Sequence, residues 1–354
     1  MQLFTDKYQP KKLDQIGFGL GANQKLSALT KVVSVPHLII RGCRGAGKRN
    51  RALLFLRETF GDGVFNTNVF TIDVDLPNKK TVALQVTYSP YHYQFNPSQY
   101  GVYDRVLIQR FIEQIVKVKL VHNKVPYRVI IMEDADLLTY EAQQSLRRTL
   151  ETHIKSCRFM FMANREGHLI DPIESRCVII NVPSPSYRQV KTILTNIVDQ
   201  ETGSSDSIDE QTLNKIVKYS DRDLNRAICG LQRHLLLREP YQLDYEVQMA
   251  KSIVKSLIAS RNMLMIEDLR KQINEMITRN IAGTEILSAI FKQALAIMPS
   301  FDNDPDLTFA ICQYAGQFDH SIRMGGKTVY HIEAFCLKIC LEFKLYMDEK
   351  SKEA

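Results

Sequence analysis

No run of about 18 uncharged apolar residues occurs in the 354-residue chain, so a membrane-spanning helix is not expected. The seven cysteines, at 43, 157, 177, 229, 312, 336 and 340, are odd in number and scattered. They do not make the framework of a small secreted disulfide protein. The polar opening Met1–Pro10 lacks the apolar centre of a signal peptide, and secretion is not expected. Low-complexity tracts and repeats of fixed period are missing too. What is present is ordinary: 45% apolar and 24% charged residues, which exclude a disordered or collagen-like chain. The length suggests two or three domains. A soluble protein of a reducing compartment is the expectation.

The formal net charge of +7 says little until it is located. Residues 1–182 hold 25 Lys+Arg and 16 Asp+Glu, whereas residues 183–354 hold 21 and 23. The positive excess belongs to the first half, which predicts a polyanion-facing N-terminal domain. Part of that excess, Arg41, Arg44, Lys48, Arg49 and Arg51, crowds one short stretch.

Strand patterns in the first half fall at His37–Ile40, Val69–Val74, Val82–Thr87, Arg128–Met132, Phe159–Met162 and Val178–Val182. Most are unbroken apolar runs, as expected of strands covered on both faces in a parallel sheet. Helical patterns lie between them at Lys48–Phe60, Asp104–Leu120 and Tyr140–His153. The alternation predicts a doubly wound α/β domain ending at the Pro/Ser punctuation of 181–186. Beyond Tyr187 the pattern turns all-helical: Tyr187–Thr202, Ile208–Tyr219, Leu224–Leu237, then four or five further helices. These breaks divide the chain into an α/β core (1–183), a small helical lid (184–242) and a helical C-terminal domain (243–354).

Gly42-Cys43-Arg44-Gly45-Ala46-Gly47-Lys48 follows a strand and opens a helix. This is the pattern of a loop whose backbone amides surround phosphate at a helix N-terminus, with the lysine reaching the terminal phosphates. The next position normally carries the hydroxyl that ligates Mg²⁺. Here it is Arg49, a guanidinium that cannot ligate a cation, and Asn50 lies about 100° further round the helix. The strand Arg128–Met132 leads into Glu133-Asp134-Ala135-Asp136, acids placed to hold a metal and polarise water. Their order is the reverse of the usual Asp then Glu. Asp134, a methylene short, reaches a water poorly, and misplacement by about 1 Å can cost on the order of 100-fold in rate. Nucleotide binding with weak or absent Mg²⁺-dependent hydrolysis is expected.

With Glu174-Ser175-Arg176-Cys177 before the last strand, this set resembles the AAA+ clamp loaders. Their small subunits carry a Ser-Arg-Cys motif. Asp6-Lys7-Tyr8-Gln9-Pro10 resembles the family's opening box, with Gln9 where an arginine is usual. Ala142 to Glu151 resembles the helix after the acidic motif, and Arg158 to Asn164 the sensor-1 strand. Tyr91-His92, Asn96-Pro97-Ser98, Asp104 to Gln109, and the C-terminal Gly326-Lys327 and Tyr330 to Phe335 are similar to one type. That type is the replication factor C small subunit at the end of the ring, whose phosphate loop is degenerate.

The resemblance implies an AAA+ core with a helical lid and an oligomerising collar. It implies an adenine nucleotide, ADP or ATP, held by Tyr8, Pro10, Gly42, Gly45, Ala46, Gly47, Lys48, Arg49, Asn50, Glu133, Asn164 and Asn225, with Mg²⁺ doubtful. Arg176 is implied to be an arginine finger offered to the neighbour's nucleotide, and Arg147 or Arg148 to assist it. Asn225 stands where the lid's sensor arginine is usual, with Arg226 one place late. The implied partners are the other subunits of a hetero-pentamer, a ring-shaped sliding clamp, and primer–template DNA through its phosphates, in the nucleus and away from membranes. Lys79, Lys80 and Arg110 are candidates for DNA or for plain solvated surface. Ile108, Phe111 and Ile112 are either an apolar anchor for the clamp or core. Cys336 and Cys340, near His331, read as buried thiols in an apolar helix rather than metal ligands. A self-sufficient AAA+ motor or a scaffold without nucleotide would be the alternatives.

Overall fold

Through residue 181, strands of four to eight residues, rich in β-branched and aromatic side chains, are interspersed with helices. In chain order these are α1 (Phe4–Lys7), α2 (Leu20–Thr30), β1 (His37–Arg41), α3 (Lys48–Phe60), β2 (Asn68–Asp75), β3 (Thr81–Tyr88), β4 (His92–Phe95), α4 (Asp104–Lys117), β5 (Arg128–Met132), α5 (Tyr140–Thr152), β6 (Cys157–Ala163), α6 (Asp171–Glu174) and β7 (Cys177–Asn181). The computed structural model describes the chain apart from residues 1, 33, 76–80, 118–126, 154–155, 165–168, 204–207, 238–244, 260–263, 302–303, 326 and 354. Lys79, Lys80, Gly326 and the last three residues of the expected 104–120 helix therefore lie outside the described residues.

The seven strands form one sheet in the order β2-β3-β4-β5-β6-β1-β7. From β4 to β7 every neighbouring pair is parallel. At the other edge β2 and β3 form an antiparallel hairpin, and β3 also pairs antiparallel with β4. The sheet is mixed, not wholly parallel, and the cause is legible in β3. Its exposed and buried residues alternate, with Leu84 and Val86 inward, as in a strand covered on one face. β4 is additional to the six strands expected, because His92 and Gln94, both buried, interrupt its apolar pattern.

Alternation along the central strands divides the core between two faces. Ile39, Ile130, Phe159 and Phe161 point to the side covered by α4 and α5. Leu38, Ile40, Val129, Ile131 and Met160 point to the side covered by α2 and α3. Both faces are covered, which is why these strands read as continuous apolar runs. On α4, Ile108, Phe111 and Ile112 are all buried in this core, with Phe95 and Phe111 ring centroids 4.3 Å apart. The clamp-anchor reading of those three residues is corrected: they hold the helix to the sheet. Arg110, on the same helix, is exposed and pairs with Glu113 at 3.5 Å.

Helices α7 (Tyr187–Thr202), α8 (Glu210–Tyr219) and α9 (Leu224–Leu237) follow. Ser186 caps α7 with the reciprocal Gln189 bond of a capping box. The three helices share a core of Val190, Leu194, Ile216 and Leu231, which Phe4 of α1 completes. All of this lies in one compact unit, Met1–Tyr241, and Gln242–Ala354 forms a second. Among its described residues the second unit has five α-helices: α10 (Tyr245–Ala259), α11 (Leu264–Thr278), α12 (Gly283–Ile297), α13 (Pro305–Met324) and α14 (Thr328–Glu353). Gly283 opens a helix where a break was expected, and Pro305 sits in the first turn of α13, where its missing N–H does no harm. Cys336 and Cys340 are buried in this unit's core, and burial pushes the Cys336 thiol pKa up. Among the described residues no helix is long and apolar enough to cross a membrane.

Candidate nucleotide site

Strand order brings three separated segments to one edge of the sheet. β6 lies between β1 and β5, so the residue after β6 stands between the loop after β1 and the acids after β5. That residue is Asn164. The loop leaves β1 at Gly42, whose amide donates to Ala163 O at 3.1 Å, and enters α3 at Lys48. Gly45 and Gly47 have φ of +72° and +74°, a region that L-residues with a Cβ rarely adopt. No side chain caps the thirteen-residue α3. Its first amides and the glycine loop form a cradle suited to phosphate.

Lys48 Nζ makes three hydrogen bonds, to Gly42 O at 2.8 Å, Cys43 O at 2.9 Å and Asn164 Oδ1 at 2.8 Å. Burial holds its pKa below the usual lysine value, and Asp134 and Asp136 oppose that shift. Asn164 Nδ2 in turn donates to Asp134 Oδ1 at 2.8 Å. The other carboxylate oxygen of Asp134 accepts from Asn96 Nδ2, also at 2.8 Å. Asp134 is held in the left-handed region, φ 46° and ψ 44°. Each oxygen of the acid expected to polarise water thus accepts from a side-chain amide. Glu133 Oε1 accepts from Gln94 Nε2 at 2.6 Å and lies 3.7 Å from Arg49 Nε. The guanidinium that replaces the hydroxyl faces the acid that would hold the metal.

The loop, its lysine and the helix terminus fit an anion such as a nucleotide phosphate chain. The donor set does not fit Mg²⁺. It offers no hydroxyl after Lys48, and each acid is already engaged. Asn50 lies one residue further along α3 and is half-buried.

Beneath the cradle, Arg51 is fully buried. It donates to Asn23 Oδ1 at 2.8 Å, Ala46 O at 2.6 Å, Gly47 O at 3.4 Å and Phe18 O at 2.7 Å. Its guanidinium stacks 4.6 Å from the Phe18 ring centre, and burial lowers its pKa to about 10. Sequence reading grouped Arg51 with the cations that crowd the phosphate loop; its guanidinium is a buried bracket under that loop. Asn96 was legible only as part of a family-like stretch, and its place beside Asp134 was not.

Other expected site residues lie in different clusters. Tyr8 Oη donates to Glu201 of α7 at 2.6 Å, and burial and that bond raise its pKa. Pro10 follows in the same segment. Asn225 is exposed in the first turn of α9. Arg176 precedes β7, about a third exposed, with Nε and Nη2 donating to Glu151 Oε1 at 2.8 and 2.5 Å. Nη1 donates to Pro172 O at 2.9 Å. Glu174, two residues earlier, is paired with Arg41 at the end of β1. Burial pushes the neighbouring Cys177 thiol up to about 12, so it stays a neutral packing group.

The family model described as the replication factor C subunit 3 C-terminal domain matches residues 245–347. A second, described as the DNA polymerase III delta subunit, matches residues 94–186. Replication factor C subunit 3 of Homo sapiens is 27% identical over 358 residues, covering 99% of this chain and 98% of that protein. The probable replication factor C subunit 3 of Dictyostelium discoideum is 28% identical, covering 97% and 99%. Replication factor C subunit 5 of Saccharomyces cerevisiae is 26% identical, covering 97% and 100%. A solved Thermotoga maritima RuvB aligns at 14% identity and a TM-score of 0.48 over 71% of this chain and 79% of that one, too loose to build on.

Proposed function

Because this chain belongs to the replication factor C small-subunit family, we propose that it completes a neighbour's ATPase site in a clamp-loading hetero-pentamer while turning over little nucleotide in its own. As a member of that family it is a clamp-loader component that works with AAA+ partners on DNA. The finer reading divides the labour. Residues 1–183 bind adenine nucleotide, 184–242 act as its lid, and 243–354 join the chain to the other subunits. The partners are those subunits, a sliding clamp and the phosphates of primer–template DNA, in the nucleus. The excess of basic residues in 1–182 supports a salt-sensitive, sequence-independent DNA contact.

One observation carries the division of labour: the acids of the chain's own site are already engaged. Asn96 and Asn164 hold both oxygens of Asp134, and Arg49 with Gln94 faces Glu133. An anion bound in the cradle would meet Lys48 and the α3 amides, with Arg51 holding the loop from beneath. The acids it would meet, Glu133 and Asp134, already accept from Gln94, Asn96 and Asn164. Arg176 is exposed enough to be offered outward, and Glu151 fixes its direction.

The test is reconstitution with the subunits that co-purify. Arg176→Ala is expected to depress ATPase and clamp loading, by up to the ~10³–10⁵ per site that an arginine finger contributes. Lys48→Ala should change them little. Equal and small effects of both substitutions would overturn the finger assignment.

A further inference from the structure

A lid side chain, Asp223, lies against the phosphate cradle. Asp223 immediately precedes α9, and its Oδ1 accepts the Arg226 amide at 3.1 Å, an N-cap bond. The same carboxylate packs on Gly45. A Cβ built on that glycine would overlap the Asp223 carboxylate and stand 2.7 Å from its Cα. Asp223 is also near enough to Lys48 for the two charges to attract. A fixed negative charge therefore sits against a loop shaped to receive anions.

The turn that delivers it is strained. Asp221 and Arg222, consecutive and neither of them glycine, have φ of 51° and 64°. Such conformations are unfavourable for residues with a Cβ and persist only where their surroundings over-determine them. Here Arg222 Nε donates to Pro185 O at 2.9 Å and Nη2 to Ser184 O at 3.1 Å. The Asp223 amide closes the turn on Ser220 O at 2.9 Å. The carbonyls that follow the last strand thus anchor a backbone whose outcome is a carboxylate on Gly45. An N-cap needs contact only with its own helix, so capping does not account for the contact with the loop.

We propose that Asp223 is a specificity-determining residue, a lid carboxylate that ranks adenine nucleotides by phosphate charge and disfavours the triphosphate against the diphosphate. The proposal rests on the nucleotide-site reading above and names what that site selects. A nucleotide with a longer phosphate chain brings more negative charge to the loop that Asp223 touches. Lys48 is the cation it would share with that charge, and Asn225, two residues on, adds only a neutral amide. One further unit charge about 7 Å from a carboxylate, at an effective dielectric of about 20–50, changes affinity by about 5- to 50-fold.

Asp223→Asn isolates this effect, because asparagine keeps the size and the capping oxygen and loses only the charge. Affinities of the full-length chain for ATP, ADP and adenosine are measured by calorimetry in EDTA. The variant is expected to gain about 5- to 50-fold for ATP and less for ADP, with adenosine unchanged. The gain should shrink at high salt. Asp223→Glu, which keeps the charge, should keep the wild-type ranking. An unchanged ATP:ADP ratio in Asp223→Asn overturns the proposal, and so does an equal shift for all three ligands, which a loosened lid would give. A wild-type chain that binds none of the three would sink the nucleotide site itself, and this proposal with it.

Discussion

Arg49 replaces a metal ligand with a cation, and the replacement reaches beyond one missing bond. Mg²⁺ in nucleotide sites is held by one or two carboxylates together with substrate phosphates, and it keeps most of its water. A guanidinium facing Glu133 removes the carboxylate and adds repulsion, while contributing positive charge for phosphate in the metal's stead. Wild-type affinity for ADP should therefore differ less than about twofold between EDTA and millimolar Mg²⁺. Arg49→Thr restores a hydroxyl and releases Glu133, and binding should then become Mg²⁺-dependent by roughly tenfold. Fluorescent-nucleotide titration with and without chelator reads both outcomes. A strong Mg²⁺ requirement in the wild type would contradict the geometry. Arg51 differs in kind although it is only two residues away. Its charge is buried and hydrogen-bonded to carbonyls and an amide, and it faces inward to the loop backbone. Nothing in a string of basic residues distinguishes the two roles, because burial is decided by which face of α3 meets α2 and β1.

Helix α4 shows how an element resolves an ambiguous pattern. Apolar residues spaced as Ile108, Phe111 and Ile112 suit a docking face and a core face equally well. The sheet decides, because β3, β4 and β5 need a cover on the side where Leu84, Phe95 and Ile130 point. Phe111→Ala should cost about 3–5 kcal/mol of stability. Chemical denaturation of the isolated chain measures this without any clamp present. A loss below about 1 kcal/mol would return the helix to the list of docking surfaces. Much else at this scale was legible beforehand. The α3 and α7 boundaries and the start of α9 coincide with their periodic patterns, because each falls at a clear break. The parallel strands announced themselves through continuous apolar runs. β4 did not, since its buried His92 and Gln94 look like loop residues until the sheet satisfies their backbone. At the site, the loop, its lysine and the acids could be read from spacing. Asn96 and Asp223 could not, because one arrives from an unrecognised strand end and the other from a strained turn in the lid.

On the scale of the whole molecule, the second unit leaves one conspicuous apolar face uncovered. Its core is complete without it, with Ile253, Ile273, Ile286, Phe335 and Phe343 all buried. On α14, Leu337, Leu341 and Leu345 recur every four residues and are 38%, 49% and 48% exposed. That spacing stacks them on one side of the helix, opposite the positions that fill the core. Bulky apolar groups aligned in this way mark an interaction surface more than isolated exposed leucines do. The proposed role of 243–354 in joining the other subunits gives the stripe its occupant: the helical domain of an adjacent subunit, packing helix against helix. Leu341→Glu puts a charge at the stripe's centre without touching the core. The isolated variant should unfold within about 0.5 kcal/mol of wild type, as surface substitutions usually do. In co-expression with the partner subunits it should enter the complex far less, because an unpaired charge buried at an interface is strongly unfavourable. Size-exclusion chromatography of the co-expressed subunits separates the outcomes. Normal incorporation of Leu341→Glu would show that the complex is built through another face.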